Sequence, residues 1–249
     1  MDIIYTIWLR SIKRYIRSKS RIIGSISMPL FFLIFLGFGL NSVVQIPGMG
    51  QDYIQFLIPG VVSMSVLFTS VFSGIQIIWD KQFGFLKETL VAPVSRLEIM
   101  LGQTLGGATT AFIQGVIIML LALLIGLQIT NPAGFLIAFG FMALIGISFT
   151  AFGIAIASRM EDMHGFQLIM NFVVFPIFGL SGALFPISSL PSWMAPITLC
   201  DPLTYGVEGI RYGLTGVSQI NPLVSFIVLG SFAVVMTIIG AYLFKKIRF

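Results

Sequence analysis

The chain has 249 residues, of which 57% are hydrophobic and only 9% charged, and its mean hydropathy is +1.03. Soluble domains average about 25% charged residues, so this composition is typical of a polytopic membrane protein and leaves no room for a soluble catalytic domain. The net charge of +5 comes from basic residues that flank apolar segments. Such residues set topology and contact anionic lipid, so they do not indicate nucleic-acid binding. The single cysteine, Cys200, excludes an internal disulfide.

Residues 1–21 predict an amphipathic helix that lies in the membrane interface. Ile4, Trp8, Ile12 and Tyr15 share one helical face, and most of the basic residues lie elsewhere on the helix. The aromatic side chains are expected at the depth of the lipid headgroups. A solvated basic arm is the alternative interpretation of this segment.

Six apolar segments each approach the roughly 20 residues that a helix needs to cross a bilayer. We call them spans 1 to 6 and predict them near residues 22–40, 54–78, 99–127, 134–157, 166–184 and 222–244. Thirteen of the 14 basic residues lie in the termini and in the connections 80–98 and 158–165, which share one side; Arg211 lies on the other. The positive-inside rule therefore predicts a multi-pass protein of the plasma membrane with both termini in the cytoplasm.

The connection between spans 2 and 3 predicts a short amphipathic helix. Its apolar residues recur at helical spacing and form one face, which consists of Phe83, Leu86, Leu90 and Val91. Lys87 and Glu88 lie on the opposite face, and Pro93 should end the helix. Ser95 and Glu98 form a capping-box pattern at the start of span 3. Two interpretations stay open: a surface on which a soluble partner docks, or a loop that rests in the headgroups.

The connection between spans 5 and 6 is too apolar for a free external loop and too rich in proline to span the membrane. Its prolines divide it into short pieces and are Pro186, Pro191, Pro196 and Pro202. We therefore predict two short re-entrant helices in the outer leaflet, where irregular backbone is tolerated only against protein or a watery cavity. Trp193 and Tyr205 suit an interface. Glu208 and Arg211 lie one helical turn apart, beyond Asp201, and form either a structural ion pair or part of a substrate gate.

The sequence lacks the residues that are typical of several classes of function. The sequence has no phosphate loop of the form G-x-x-x-x-G-K-[ST], so it cannot hydrolyse ATP by that route. The predicted spans hold almost no ionisable residue, which disfavours a proton-coupled or ion-coupled carrier. An enzyme of the membrane interface would need a nucleophile, a base or a metal set; the only histidine, His164, has no such context.

A family resemblance extends this interpretation. The run from Gly84 to Arg96, GFLKETLVAPVSR, followed by Leu101-Gly102, resembles the signature of permeases of type-2 ABC transporters (ABC-2), including multidrug and daunorubicin exporters. Later residues also resemble that family: Pro191, Trp193, Pro202, Leu203, Thr204, Tyr205, Glu208 and Arg211. The resemblance covers essentially the whole chain, so residues 1–249 are expected to form a single transmembrane domain.

The resemblance implies the permease subunit of an ATP-driven exporter that moves a drug, a lipid or a glycan. It implies separate ATPase subunits that bind ATP and magnesium, so no cofactor is expected in this chain, and a second copy or a related permease as partner. It assigns ATPase coupling to Phe83, Gly84, Phe85, Leu86, Lys87, Glu88, Thr89 and Leu90. It assigns an outer gate to Trp193, Asp201, Pro202, Tyr205, Glu208 and Arg211. A secondary carrier or a channel without an ATPase is the alternative function.

Overall fold

A computed structural model describes residues 2–41, 52–85, 95–127 and 134–247 of the chain. Within these residues the regular structure is helical and includes no strand. In the described part of the chain, six helices are long and apolar enough to cross a membrane: Ile22–Asn41, Tyr53–Gln82, Arg96–Ile125, Gly134–Ala157, Met163–Leu180 and Pro222–Lys245. They confirm the predicted all-α architecture, and they are spans 1 to 6 from here on.

Shorter helices complete the described part of the chain. An N-terminal helix covers Asp2–Arg17, and a connecting helix covers Pro202–Thr215 between spans 5 and 6. The same connection holds a 3-10 turn at Ile187–Ser189 and a short helix at Ala195–Cys200. The sequence therefore predicted helices correctly in this connection.

The C-terminal ends of spans 2 and 5 each differ by four residues from the predicted ends. Span 2 runs to Gln82, past the predicted end at residue 78, as helices Tyr53–Ser73 and Ile75–Gln82 joined at Gly74. Span 5 stops at Leu180 rather than residue 184. Gly182 has a φ of +70°, a left-handed conformation that ends the helix and turns the chain.

The N-terminal helix packs along span 3. The indole nitrogen of Trp8 donates a hydrogen bond to Thr109 Oγ1 at 3.0 Å, and the hydroxyl of Tyr15 donates to Gln114. Tyr15 is buried. Part of the face that was predicted to meet the headgroups therefore contacts span 3, because sequence periodicity identifies an apolar face but not what covers it.

Two glycines on span 3 allow this close approach. A Cβ atom on Gly102 would lie 2.9 Å from Ile7 Cβ, and one on Gly106 would lie 2.6 Å from Ser11 Cβ. Small residues four positions apart let helices approach closely in membranes, where packing rather than hydrophobic burial drives association. The N-terminal helix therefore packs on span 3 at the Gly102–Gly106 pair.

Span 4 lies at the centre of the bundle, in contact with spans 2, 3 and 6 and with the connecting helix. Spans 1, 5 and 6 lie at the periphery of the bundle. In the most apolar stretch of each span, 17% of the residues are buried in span 1 and 22% in spans 5 and 6, against 67% in span 2. A helix that is apolar all round yet exposed must meet lipid or another subunit.

The connecting helix packs on span 4 through glycines at helical spacing, Gly206, Gly209 and Gly213. A Cβ atom at Gly209 would lie 2.3 Å from Phe141 Cδ1, inside the ring's van der Waals surface. The aromatic ring therefore occupies the space that a side chain at this position would need.

Gly209→Ala is expected to destabilise the protein by about 1–3 kcal/mol, since an inserted methyl group forces the packed helices apart. The measurement is thermal unfolding of the detergent-solubilised protein. Gly140→Ala is the matched control, because a Cβ atom there would meet nothing within 4 Å. Equal melting temperatures for the two variants would contradict the inferred contact.

Candidate coupling and gating sites

Only three of the eight predicted coupling residues fall within the described structure; positions 86–90 lie outside the described residues. Span 2 ends at Gln82, and Gly84 follows with a φ of +76°, which a glycine adopts at little cost. Phe83 is 78% exposed and Phe85 is 42% exposed. The structure therefore places two exposed aromatic side chains on either side of a sharp turn.

A buried carboxylate near the end of span 2 connects this span to the N-terminal helix and to span 3. Asp80 accepts hydrogen bonds from Arg10 Nη2 at 2.7 Å, from Gln76 Nε2 at 2.7 Å and from Gln103 Nε2 at 3.3 Å. The guanidinium of Arg10 also lies 4.3 Å above the ring centroid of Phe85. Arg10 thus bridges the exposed aromatic turn and the carboxylate, and its position depends on both.

The last residues of span 2 also hold the connection between spans 4 and 5. The ammonium group of Lys81 donates to the carbonyl oxygens of Ser158 at 2.9 Å and Met160 at 3.1 Å. Gln82 Nε2 donates to the Glu161 carbonyl oxygen at 3.0 Å. Carbonyl groups at and after a helix C-terminus lack intrahelical partners, so these side chains satisfy groups at the end of span 4.

The start of span 3 is fixed in a similar way. Ser95 Oγ accepts from the Glu98 backbone at 3.1 Å, and the Glu98 carboxylate accepts from the Ser95 backbone at 3.0 Å, which confirms the predicted capping box. Arg96 donates to the carbonyl oxygens of Lys245 and Ile247, the latter at 3.1 Å. The beginning of span 3 is therefore attached to the end of span 6.

The opposite end of the bundle contains a buried ion pair. Arg211 Nη1 donates to Glu208 Oε1, and the two residues are 1% and 0% exposed. Arg211 Nη2 donates to the Gly182 carbonyl oxygen at 2.9 Å, and the guanidinium lies 4.0 Å above the ring centroid of Phe56. The second carboxylate oxygen of Glu208 accepts from the Gln219 backbone. The pairing predicted from the one-turn spacing is confirmed, and it joins the connecting helix to span 2.

The other predicted gate residues do not join this pair. Asp201 caps the connecting helix, where Oδ1 accepts from the Leu203 backbone at 2.9 Å. Pro202 occupies the first turn, and the hydroxyl of Tyr205 donates to a backbone carbonyl 2.8 Å away. Trp193 is exposed on the connection itself. The six residues therefore lie in three separate environments.

Asp201 also carries a buried, unsatisfied atom. Its Oδ2 has no hydrogen-bond partner among the described residues. Burial raises the pKa of Asp201, which lies outside the six spans, to about 7.

The comparison with known families decides the identity. Residues 3–215 match the family model described as ABC-2 type transporter. The chain belongs to this family. It is therefore the non-catalytic membrane component of an ABC transporter, a permease that works with an ATPase subunit.

Relatives of the permease cover nearly its whole length. It is 30% identical to the protein ycf38 of Cyanophora paradoxa, over 94% of this chain and 85% of the relative. It is 24% identical to the inner membrane transport permease YadH of Escherichia coli K12, over 98% and 94%. It is 25% identical to nodulation protein J of Rhizobium leguminosarum bv. viciae, over 96% and 93%.

A turn that the sequence prediction missed packs against span 2, at the end of the bundle that contains the Glu208–Arg211 pair. Residues 181–184 were assigned to span 5, but they turn back onto span 2. The hydroxyl of Tyr53 donates to the Leu184 carbonyl oxygen at 3.1 Å, and a Cβ atom on Gly60 would lie 2.2 Å from the Ala183 carbonyl oxygen. The available signal was the Ser181-Gly182 pair, which is typical of a turn.

Proposed function

We propose that this permease forms the translocation pathway of an ATP-driven exporter, and that residues 1–249 are one transmembrane domain with both termini in the cytoplasm. The observation that carries this proposal is the exposed aromatic turn at Phe83 and Phe85, which contacts Arg10 and through it Asp80. An exposed aromatic pair backed by a buried polar network is suited to receive a partner's movement. The cargo class we propose is a drug, a lipid or a glycan.

The proposed coupling element is residues 83–90, with Gly84 as its hinge. A push on this element reaches Arg10 directly, because the guanidinium stacks on Phe85. From Arg10 the contact continues to Asp80, which holds spans 2 and 3. One displacement would therefore move the N-terminal helix and two spans together.

The proposed gate is the connecting helix together with its flanking residues Trp193 and Asp201. The buried Glu208–Arg211 pair keeps this helix against span 2 and the turn at Gly182. Opening a pathway beside span 2 would require this contact to break or to move as a unit. The pair is therefore the part of the gate most sensitive to substitution.

Spans 1, 5 and 6 are the proposed surface for a second permease copy, for a related permease and for lipid. These spans bury the smallest share of their apolar windows. Their exposed side chains include large apolar groups such as Phe35, Phe172 and Ile227. A pairing surface for two permeases would use exposed apolar faces of this kind, and the other three spans bury a larger share of theirs.

Purification from native membranes tests the function. An ATPase subunit with a phosphate loop should co-purify with the permease, and the reconstituted complex should move cargo only with ATP. Cargo movement by the permease alone, driven by a gradient, would instead support the carrier or channel alternative.

Thiol labelling tests the topology. In a Cys200→Ser background, single cysteines at Ser18 and Ser95 should stay unlabelled by an impermeant reagent in sealed, right-side-out cells, and should react after permeabilisation. The native Cys200 is exposed in the structure and should react in intact cells. Labelling of either introduced cysteine in intact cells would overturn the cytoplasmic placement of the termini.

A further inference from the structure

A cavity of about 350 Å³ lies between the N-terminal helix and spans 1, 2 and 3. Its volume falls in the range of about 300–1,000 Å³ that is usual for small-molecule sites. Gly24 and Met28 form its wall on span 1, and both are exposed. The cavity therefore opens at the outer surface of the bundle, beside span 1.

The charge of this cavity has one sign. Among its lining residues only Arg10 and Arg14 are charged, and no carboxylate is included. Arg10 Nη2 is paired with Asp80, but its buried Nη1 has no hydrogen-bond partner among the described residues. An anion in the cavity next to Arg10 would supply the acceptor that this donor lacks.

The same two arginines also line a second, open groove formed by the N-terminal helix and the residues that follow it. This groove adds three further basic residues, Lys13, Arg17 and Lys19, and its described lining contains no acidic residue. Arg10 and Arg14 thus line both the cavity and a basic surface.

The interior of the cavity is mostly apolar. Its apolar wall comes from spans 1 and 2 and consists of Met28, Pro29, Met64, Phe68, Phe72 and Ile75. Hydroxyl groups interrupt this wall, and one of them, Ser65 Oγ, is buried without a partner among the described residues. A flexible apolar chain fits such a wall, and the headgroup attached to it would then lie next to the two arginines.

We propose that this cavity binds one acidic phospholipid of the surrounding membrane. The phosphate lies against Arg10 and Arg14, and one acyl chain enters past Gly24 between spans 1 and 2. A basic residue near a membrane surface contributes about 1 kcal/mol to attraction of an acidic headgroup. The site needs neither an ATPase nor a cargo, so it stands or falls independently of the proposed transport function.

The first arm of the test fills the cavity. Purified permease in detergent is titrated with phosphatidylglycerol and with phosphatidylcholine, and bound lipid is counted by native mass spectrometry. The wild-type permease should bind phosphatidylglycerol about tenfold more tightly than phosphatidylcholine. Gly24→Leu should abolish this preference, whereas Gly39→Leu should keep it; a Cβ atom at either glycine meets nothing within 4 Å, and both lie on the helical stretch of span 1. Equal binding of the two lipids, or equal behaviour of the two variants, would overturn the proposal.

The second arm removes charge. Arg14→Gln should weaken phosphatidylglycerol binding about fivefold, the change that corresponds to roughly 1 kcal/mol. Lys245→Gln removes the same charge from an exposed residue that does not line the cavity, and should have no effect. If both variants bind like wild type, the arginines do not hold the headgroup.

The third arm identifies the native occupant. Lipid extracted from permease purified out of native membranes should be an acidic phospholipid, retained by Gly39→Leu and lost from Gly24→Leu. Recovery of a different phosphate-headed amphiphile in its place would overturn the phospholipid assignment and mark the cavity as a cargo site.

Discussion

Arg211→Met is expected to cost about 3–5 kcal/mol, because it leaves the carboxylate of Glu208 buried without its cation. Both side chains are almost fully buried, and the guanidinium also holds the Gly182 carbonyl oxygen and the ring of Phe56. Methionine fills most of the volume but replaces none of these contacts. The measurement is the melting temperature and the folded yield of the purified permease, followed by transport in the reconstituted complex.

Arg96→Met provides the matched control for this loss. Arg96 also donates to two backbone carbonyl oxygens, but it is only half-buried and has no carboxylate that would be left uncompensated. Its replacement should cost about 1 kcal/mol. If Arg211→Met and Arg96→Met had equal effects, the buried pair would not be a determinant of the fold.

The double variant Glu208→Gln with Arg211→Met separates two roles of the pair. Replacing both partners of a buried ion pair is often neutral, so stability should recover relative to Arg211→Met alone. A structural pair predicts that transport recovers with stability. A gate predicts that transport stays impaired in a stable protein, because the contact between the connecting helix and span 2 has changed.

The features that the sequence predicted correctly are local or depend on average composition. Six apolar segments of sufficient length identify the spans, since a bilayer sets the required length. The Ser95–Glu98 capping box and the Glu208–Arg211 pair each join residues three positions apart, so helical geometry alone brings them together. No knowledge of the bundle was needed for any of these predictions.

The features that the sequence did not reveal depend on which helices are neighbours. Arg10 and Asp80 are 70 positions apart, and Tyr15 and Gln114 are 99 positions apart. Periodicity shows that each residue lies on a particular face, but not which face of another helix covers it. The turn at Gly182 was missed for a related reason: its residues are apolar enough to continue span 5, and the packing of Gly60 on Ala183 decides otherwise.

Phe83→Asp is expected to release the ATPase subunit. Phe83 is the more exposed aromatic of the turn. Its ring meets only the edge of the Trp79 ring at 6.5 Å between centroids, so most of its surface is available to a pocket on a partner. A buried aromatic anchor at an interface contributes about 2 kcal/mol or more, which corresponds to a loss of roughly 30-fold in affinity. The measurement is co-purification of the ATPase with the permease in detergent. His164→Asp is the control, since it places an acid at an exposed position in the first turn of span 5, on the same proposed face of the membrane.

Phe85→Asp should act differently, because Phe85 already has a partner within the permease. Its ring supports the guanidinium of Arg10, and an aspartate at this position would compete with Asp80 for that cation. We therefore expect the ATPase to stay bound while cargo-stimulated hydrolysis and transport fall. The reason is that Arg10 would pair with the introduced aspartate and no longer connect the turn to Asp80 and spans 2 and 3. The readouts are hydrolysis with and without cargo, and transport, in nanodiscs or vesicles. Variants at both phenylalanines that insert normally, keep the ATPase and transport at wild-type rates would show that this turn is not the coupling element, and the exporter proposal would lose the observation that carries it.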